Sequence, residues 1–206
     1  MPTHLPAFLA GLILVGYWAR VLRMALKARR RTGNAANFIP AEKTGRLIRI
    51  VWIPLVVAWI ALPLAAGLAS NLPWPLIPLF AIPMVAWSGL VILVAAFALT
   101  WVCWKKMGRS WRMGINPAEK TDLVVSGPFA FVRHPIYALS QMMMLATAAI
   151  VPSPAMLIVA TGHLLLMQWE ARREERHLIA VHGETYLRYR RGTGRFLPVS
   201  LRPYSP

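Results

Sequence analysis

The chain has 206 residues, of which 57% are hydrophobic and 15% charged, and its mean hydropathy is +0.52. In soluble domains about a quarter of all residues are charged. The lower charged fraction of this chain therefore indicates a membrane protein rather than a water-soluble domain. The net charge of +16 does not indicate nucleic-acid binding, because the basic residues flank apolar stretches instead of forming a separate basic domain. Cys103 is the single cysteine, which excludes a disulfide framework and a thiolate metal cluster, and we predict no metal site.

Apolar stretches of membrane-spanning character recur along the chain, and a spanning helix needs roughly 20 mostly apolar residues. The sequence predicts about five such helices, of which the last two are short and form a helical hairpin around a Pro-Ser-Pro turn. They cover residues 5–26, 50–69, 76–104, 136–151 and 155–169. We therefore predict an all-α membrane protein with two regions. Residues 1–104 form a three-helix transmembrane region, and residues 105–206 contain a cytoplasmic loop and cofactor pocket, the hairpin and a C-terminal helix.

The charged residues lie on one side of this predicted bundle. All 23 Lys and Arg and all seven acidic residues fall in the loops 27–49 and 105–134, in the tail 170–206, or at Arg20 and Arg23 near the end of the first helix. Basic loops of membrane proteins face the cytoplasm. We therefore expect an integral membrane protein, in bacteria one of the inner membrane, with its N-terminus outside and its C-terminus and active site in the cytoplasm.

The segment 121–137 is the part of the sequence with the clearest chemical pattern. A residue that precedes proline is displaced from helical geometry, so His134 should cap the fourth helix and Pro135 should occupy its first position. The free N–H groups at such a helix start favour an anion, and Arg133 and His134 add donors at the same point. Tyr137 lies about one turn along the helix and can reach the same ligand.

A second cluster consists of carboxylates at the end of the fifth predicted span. Glu170 and Glu174 are four residues apart, so they share one helix face near the membrane interface, with Glu175 beside them. A charge near the bilayer is costly and needs a partner. Candidate partners are Arg172, Arg173 and Arg176. One cluster thus favours anions and the other favours cations, so a zwitterionic ligand such as S-adenosylmethionine fits between them.

An ordered set of motifs over residues 105–198 resembles the isoprenylcysteine carboxyl methyltransferase and phospholipid methyltransferase families of membrane enzymes. The motifs are Leu123-Val124, Ser126-Gly127-Pro128-Phe129, Arg133-His134-Pro135-Ile136-Tyr137, Glu174-Glu175-Arg176-His177-Leu178, Gly183-Glu184-Thr185-Tyr186-Leu187-Arg188-Tyr189 and Pro198. Each motif alone is weak, but their order and spacing on a membrane hairpin are specific. The N-terminal half adds only the number of spans to this resemblance.

The resemblance implies an enzyme that transfers a methyl group from S-adenosylmethionine to a lipophilic or lipid-anchored acceptor, among membrane lipids and without nucleic acid. By position it implies catalytic roles for Glu170 and Glu174. It implies a cofactor site formed by Thr121, Asp122, Leu123, Val124, Phe129, His134, Pro135, Ile136, Tyr137 and Glu174. Phe129 stands where these families usually have Tyr, so it keeps an aromatic wall and lacks a hydroxyl.

The motifs leave the chemical class of the methyl acceptor undetermined. The prenylcysteine enzymes have an Arg at the position of Glu170, where it would hold the substrate carboxylate. An amine or thiol acceptor, or a lipid with a cationic head, therefore fits Glu170 better than an isoprenylcysteine carboxyl group does. The sequence also allows two other functions. One is an NADPH-dependent enzyme like the sterol reductases, and the other is a non-enzymatic transporter or assembly factor. We further expect Trp101 and Trp104 to form an interfacial belt, and His163 to hydrogen-bond a neighbouring helix or to relay a proton.

Overall fold

The computed structural model describes residues 3–32, 40, 42–69, 71–115 and 122–205, without the side chains of residues 31, 32 and 109. Within these residues the chain forms six α-helices and no β-strand, which confirms the all-α prediction. The helices are α1 (His4–Thr32), α2 (Lys43–Leu68), α3 (Pro83–Met107), α4 (Pro135–Ile150), α5 (Pro154–His182) and α6 (Glu184–Gly192). A short 3-10 helix, Gly127–Ala130, precedes α4.

Three helices are long and apolar enough to cross a membrane, namely His4–Arg30, Lys43–Leu68 and Pro83–Met107. The prediction of five spans is therefore confirmed for the first three. Helix α4 is apolar but has 16 residues, or about 24 Å at 1.5 Å per residue, which is shorter than the roughly 30 Å hydrocarbon core. Helix α5 has 29 residues, and its apolar first half continues without a break into a charged second half.

The start of α3 differs from the sequence prediction, which began this helix at residue 76. Helix α3 begins at Pro83, and residues 71–82 are irregular. Prolines at positions 75, 78 and 83 explain this, because proline lacks a donor N–H and keeps the preceding residue out of helical geometry. The irregular segment is tied to the hairpin turn, since Leu79 N–H donates to Pro152 O (2.8 Å) and Ala155 N–H donates to Pro75 O (3.2 Å).

The helical hairpin is confirmed, with α4 and α5 joined by the turn at residues 151–153. The Ser153 side chain caps α5 by accepting a hydrogen bond from Met156 N–H (3.2 Å). Helix α4 packs closely on α3 at Gly89, where a Cβ would lie 2.8 Å from Ile150 Cγ1 and 3.0 Å from Ala146 O. Small residues allow this close backbone approach between membrane helices.

Contacts between the helix ends bring the described charged residues together at one end of the bundle. The Arg173 guanidinium in α5 pairs with Glu42, which directly precedes α2. The Arg49 guanidinium in α2 donates to Met113 O in the loop after α3. Arg20 in α1 stacks over the Trp101 ring of α3 at 4.5 Å. The candidate site lies at this charged end.

Candidate functional site

His134 and Pro135 have the local geometry that the sequence predicts. His134 has φ −122° and ψ 61°, outside the helical region, and Pro135 is the first residue of α4. The backbone N–H groups of Arg133 and His134 donate to Gly194 O (2.8 Å) and Arg195 O (3.1 Å). The start of α4 is therefore held in place by the segment that follows α6.

Glu175 is the centre of a buried ion-pair cluster. Its Oε1 accepts from Arg133 Nε at 3.0 Å and its Oε2 from Arg195 Nη2 at 2.7 Å, while His134 Nε2 lies 3.4 Å from Oε1. Burial raises the pKa of Glu175, but the bonds from His134, Arg195 and Arg133 lower it by more, so the net pKa lies below its usual range. Arg133 also donates to the carbonyls of Arg190 and Thr193. Its Nε and Nη1 atoms thus bond to other parts of the chain, while the side chain also lines the cleft described below.

His134, Glu174 and Tyr137 form a second group on the other side of the imidazole. His134 Nδ1 lies 3.5 Å from Glu174 Oε2, and the Glu174 side chain is 37% exposed. The His134 and Tyr137 rings stack with centroids 5.3 Å apart and an interplanar angle of 7°. Burial lowers the pKa of His134, but the neighbouring carboxylates of Glu174 and Glu175 raise it by more, so protonation of this imidazole is favoured.

A cleft at the charged end of the bundle, which we call the interfacial cleft, lies against Glu174 and Arg133. It has about 820 Å³ of space, part of which is open to solvent. Five of the predicted cofactor residues line it: Asp122, Leu123, Val124, Phe129 and Glu174. Thr121, also predicted for this site, lies outside the described residues. The buried Tyr186 hydroxyl, which has no hydrogen-bond partner in the described part of the chain, lies on the same wall.

A second cavity, which we call the aromatic pocket, lies between α1, α2, α4 and α5 and has about 640 Å³ of space, part of which is open to solvent. Three predicted site residues line this cavity rather than the interfacial cleft: Ile136, Tyr137 and Glu170. Its aromatic wall consists of Tyr17, Trp18, Trp52, Trp104 and Trp111. Trp104 is thus part of a pocket, whereas the sequence suggests an interfacial belt. Helices α1 and α2 contribute a wall of this cavity in addition to spanning segments.

Charged groups surround the mouth of the aromatic pocket. Glu170 Oε2 accepts from Arg173 Nη2 at 2.8 Å, so Arg173 is the partner among the three arginines that the sequence offers. Arg49 also lines the pocket, with its guanidinium over the Trp52 ring at 4.7 Å. Arg112 lines both the pocket and the interfacial cleft, so the two cavities share this part of their walls. Pro135 is buried and lines neither cavity.

Sequence reasoning missed Arg195, Tyr186 and Arg49 as residues of this site. Tyr186 carried a signal, because it belongs to the Gly-x-x-Tyr-x-x-Tyr motif that supports the family resemblance. Arg49 also carried one, as a charged residue one position before a predicted span. Arg195 carried none, because its pairing with Glu175 depends on the path of the chain after α6.

These features define a helical membrane protein with a polar cleft at the charged end of its bundle and an adjoining aromatic pocket. Residues 89–180 match the model of the Isoprenylcysteine carboxyl methyltransferase (ICMT) family. This match confirms the resemblance seen in the sequence and supports a membrane methyltransferase. The matched residues run from α3 into α5 and include every predicted site residue. No curated protein matches the chain.

Proposed function

We propose that the protein transfers a methyl group from S-adenosylmethionine to a lipophilic acceptor at the cytoplasmic face of the membrane. The observation that carries this proposal is a pair of unlike cavities that share Arg112 in their walls. One cavity lies at the charged end and has the more polar lining, and the other is aromatic and lies among the membrane helices. A reaction between a water-soluble methyl donor and a lipid-soluble acceptor requires such a pair of adjoining sites.

The interfacial cleft fits S-adenosylmethionine by its donor and acceptor groups. Asp122 and Glu174 offer carboxylates for the amino group, and Arg112 offers a guanidinium on the carboxylate side. Leu123 and Phe129 offer apolar surface, and the unsatisfied Tyr186 hydroxyl offers a further polar contact. When bound, S-adenosylmethionine supplies a methyl group on a positively charged sulfur.

Glu174 is kept ionised at this position. Burial raises the pKa of Glu174, but His134 and the Tyr137 hydroxyl lower it by more, so the net pKa lies below the usual range of a glutamate. A carboxylate that is held in place and partly exposed to the cleft can accept hydrogen bonds from a cationic ligand. His134 acts as a positioning residue, because it orients Glu174 on one side and stacks on Tyr137 on the other.

The aromatic pocket would hold the methyl acceptor. Its tryptophans give an apolar wall, and Tyr137 and Glu170 lie where the acceptor would approach the cleft. The residues of both cavities would align the reactants and exclude water, which are the main contributions that a protein makes to an in-line methyl transfer. Since Arg173 compensates the charge of Glu170, the electrostatic objection to a carboxylate acceptor is removed. Carboxylate, amine and thiol acceptors are all compatible with this site.

Ligand binding to the purified full-length protein tests the proposal. S-Adenosylhomocysteine should bind and NADPH should not, and labelled S-adenosylmethionine should methylate a component of native membrane extract. Glu174→Gln should weaken S-adenosylhomocysteine binding by about tenfold or more, since a charge-assisted hydrogen bond contributes about 1.5–3 kcal/mol. Glu184→Gln is the matched control, because Glu184 is 64% exposed and pairs with Arg191 outside the cleft. Binding of NADPH alone, or equal losses in the two variants, would overturn the proposal.

A further inference from the structure

The side chains of the aromatic pocket lie in two layers. The upper layer, nearest the charged end, contains Arg49 of α2 and Tyr137 of α4. Trp52 and Ser140 follow them by three residues on the same helix faces, one turn further from the charged end. On α5, which runs towards the charged end, His163 lies two turns below the upper layer. The lower layer is therefore inside the bundle, where an apolar environment is expected.

The lower layer nevertheless contains polar side chains, two of which are hydrogen-bonded to each other. Ser140 Oγ lies 3.1 Å from His163 Nε2, which confirms the expected bond between His163 and a neighbouring helix. Tyr17 of α1 lines the same cavity as Ser140 and places its phenol group beside this pair. We call Tyr17, Ser140 and His163 the polar floor, and all three line the aromatic pocket.

His163 has one ring nitrogen without a hydrogen-bond partner among the described residues. The residue is 1% exposed, and its Nδ1 has no hydrogen-bond partner among the described residues. Buried polar atoms in proteins almost always have a partner, so this nitrogen indicates a ligand group. If the Ser140 hydroxyl donates to Nε2, the neutral imidazole carries its proton on Nδ1 and presents a donor. An oxygen acceptor in the pocket would satisfy that donor.

The distance between the polar floor and the upper layer predicts how far a polar group in the ligand's tail lies from its head. Glu170 and His163 are seven residues apart on α5, which corresponds to about 10 Å at 1.5 Å per residue. We propose that the polar floor binds a carbonyl oxygen in the tail of the methyl acceptor, about 10 Å from its reacting head. The acceptor is then an amphiphile with a carbonyl group in its chain rather than an unbroken hydrocarbon or prenyl chain. This inference rests on the proposed function, because it takes the aromatic pocket as the acceptor site.

Binding of matched probes to the full-length protein in detergent micelles tests the inference. The probes are labelled straight-chain carboxylates, amines and thiols, each with a plain alkyl chain or with a keto group about 10 Å from the head. For at least one head group, the keto probe should bind more tightly than the plain probe by about three- to tenfold, the contribution of one neutral hydrogen bond. In His163→Phe, the ratio of keto-probe binding to plain-probe binding should fall to the ratio measured in micelles without protein. In Ser140→Ala, the same ratio should fall below that of the wild type.

Leu165→Phe is the control variant, because Leu165 is 66% exposed on α5 and lines neither cavity. It introduces the same side chain and should keep the wild-type ratio. The inference is overturned if no probe binds, if the keto probe has no advantage in the wild type, or if the advantage persists in His163→Phe. S-Adenosylhomocysteine binding is measured on the same preparations. A keto preference without such binding refutes the proposed methyl transfer and leaves the polar floor as a carbonyl-binding site for a ligand that is not a methyl acceptor. Binding without the preference refutes the polar floor alone.

Discussion

Removal of the Glu175 carboxylate should destabilise the protein more than removal of any exposed charge. In Glu175→Ala, the Arg133 side chain, which is 9% exposed, loses the acceptor of its Nε. His134, which is 5% exposed at its side chain, loses the carboxylate near its Nε2. Arg195 loses both of its bonds to Glu175. The substitution thus leaves cationic groups buried without the anion that compensates them.

The expected cost follows from this loss of compensation. Breaking a buried ion pair by removing one partner costs about 3–5 kcal/mol, because the remaining charge is left in a medium that solvates it poorly. For a chain of this size, 1 kcal/mol corresponds to about 2–4 °C in Tm, so Glu175→Ala should lower Tm by about 6–20 °C. Arg195 is 28% exposed and regains solvation from water, so the lower half of this range is the more realistic expectation.

Thermal unfolding in one detergent at one scan rate measures the effect, since membrane proteins often unfold irreversibly. Glu184→Ala is the matched control. It removes the same side chain from an ion pair whose partners are 64% and 68% exposed, and such a pair contributes about 0–1 kcal/mol. If Glu175→Ala unfolded within about 2 °C of Glu184→Ala, the buried cluster would not be a source of stability and the reasoning would be refuted.

Two further predictions concern the charge of His134 and the contact between α3 and α4. Because Glu174 and Glu175 raise the pKa of His134, its stabilising charge is fully present below the unfolded value of about 6.5 and is lost as pH rises through the folded value. The Tm gap between the wild type and His134→Gln should therefore narrow from pH 6 to pH 9, and a constant gap would contradict this. Gly89→Ala should cost about 1–3 kcal/mol, because the new Cβ meets Ile150 and the Ala146 carbonyl. Gly16→Ala, where a Cβ meets nothing within 4 Å, should cost nothing, and equal unfolding temperatures of the two variants would count against the close packing.

The helix limits near the site could be predicted because prolines mark them. Pro135 and Pro154 begin α4 and α5 within a residue of the predicted starts, as expected for a residue that fits the first helical position. Prolines also explain why the predicted start of α3 was wrong. The sequence stays apolar through the irregular segment 71–82, but the prolines in this segment prevent a helix. Arg173 could have been preferred among the three arginines near Glu170, because a spacing of three residues places it on the same helix face.

Contacts between distant segments could not be predicted from local patterns. Arg195 reaches Glu175 only because residues after α6 return to the start of α4, where Gly194 O and Arg195 O accept from the backbone. The wall of the aromatic pocket depends on the rotation of α1 and α2 about their axes, which sequence periodicity does not fix in an apolar helix. Spacing alone therefore indicated the interfacial cleft, and tertiary packing was needed to find the aromatic pocket.

The two cavities differ in how the family match covers them. The interfacial cleft is lined mainly by residues within 89–180, whereas Tyr17, Trp18, Arg49 and Trp52 of the aromatic pocket lie before that range. If the cleft holds the methyl donor and the pocket holds the acceptor, the matched region supplies the shared part of the reaction. Residues of helices α1 and α2 then largely determine which acceptor binds. Substitutions in the aromatic wall should accordingly change acceptor preference and leave S-adenosylhomocysteine binding intact, because none of the aromatic residues of that wall lines the cleft.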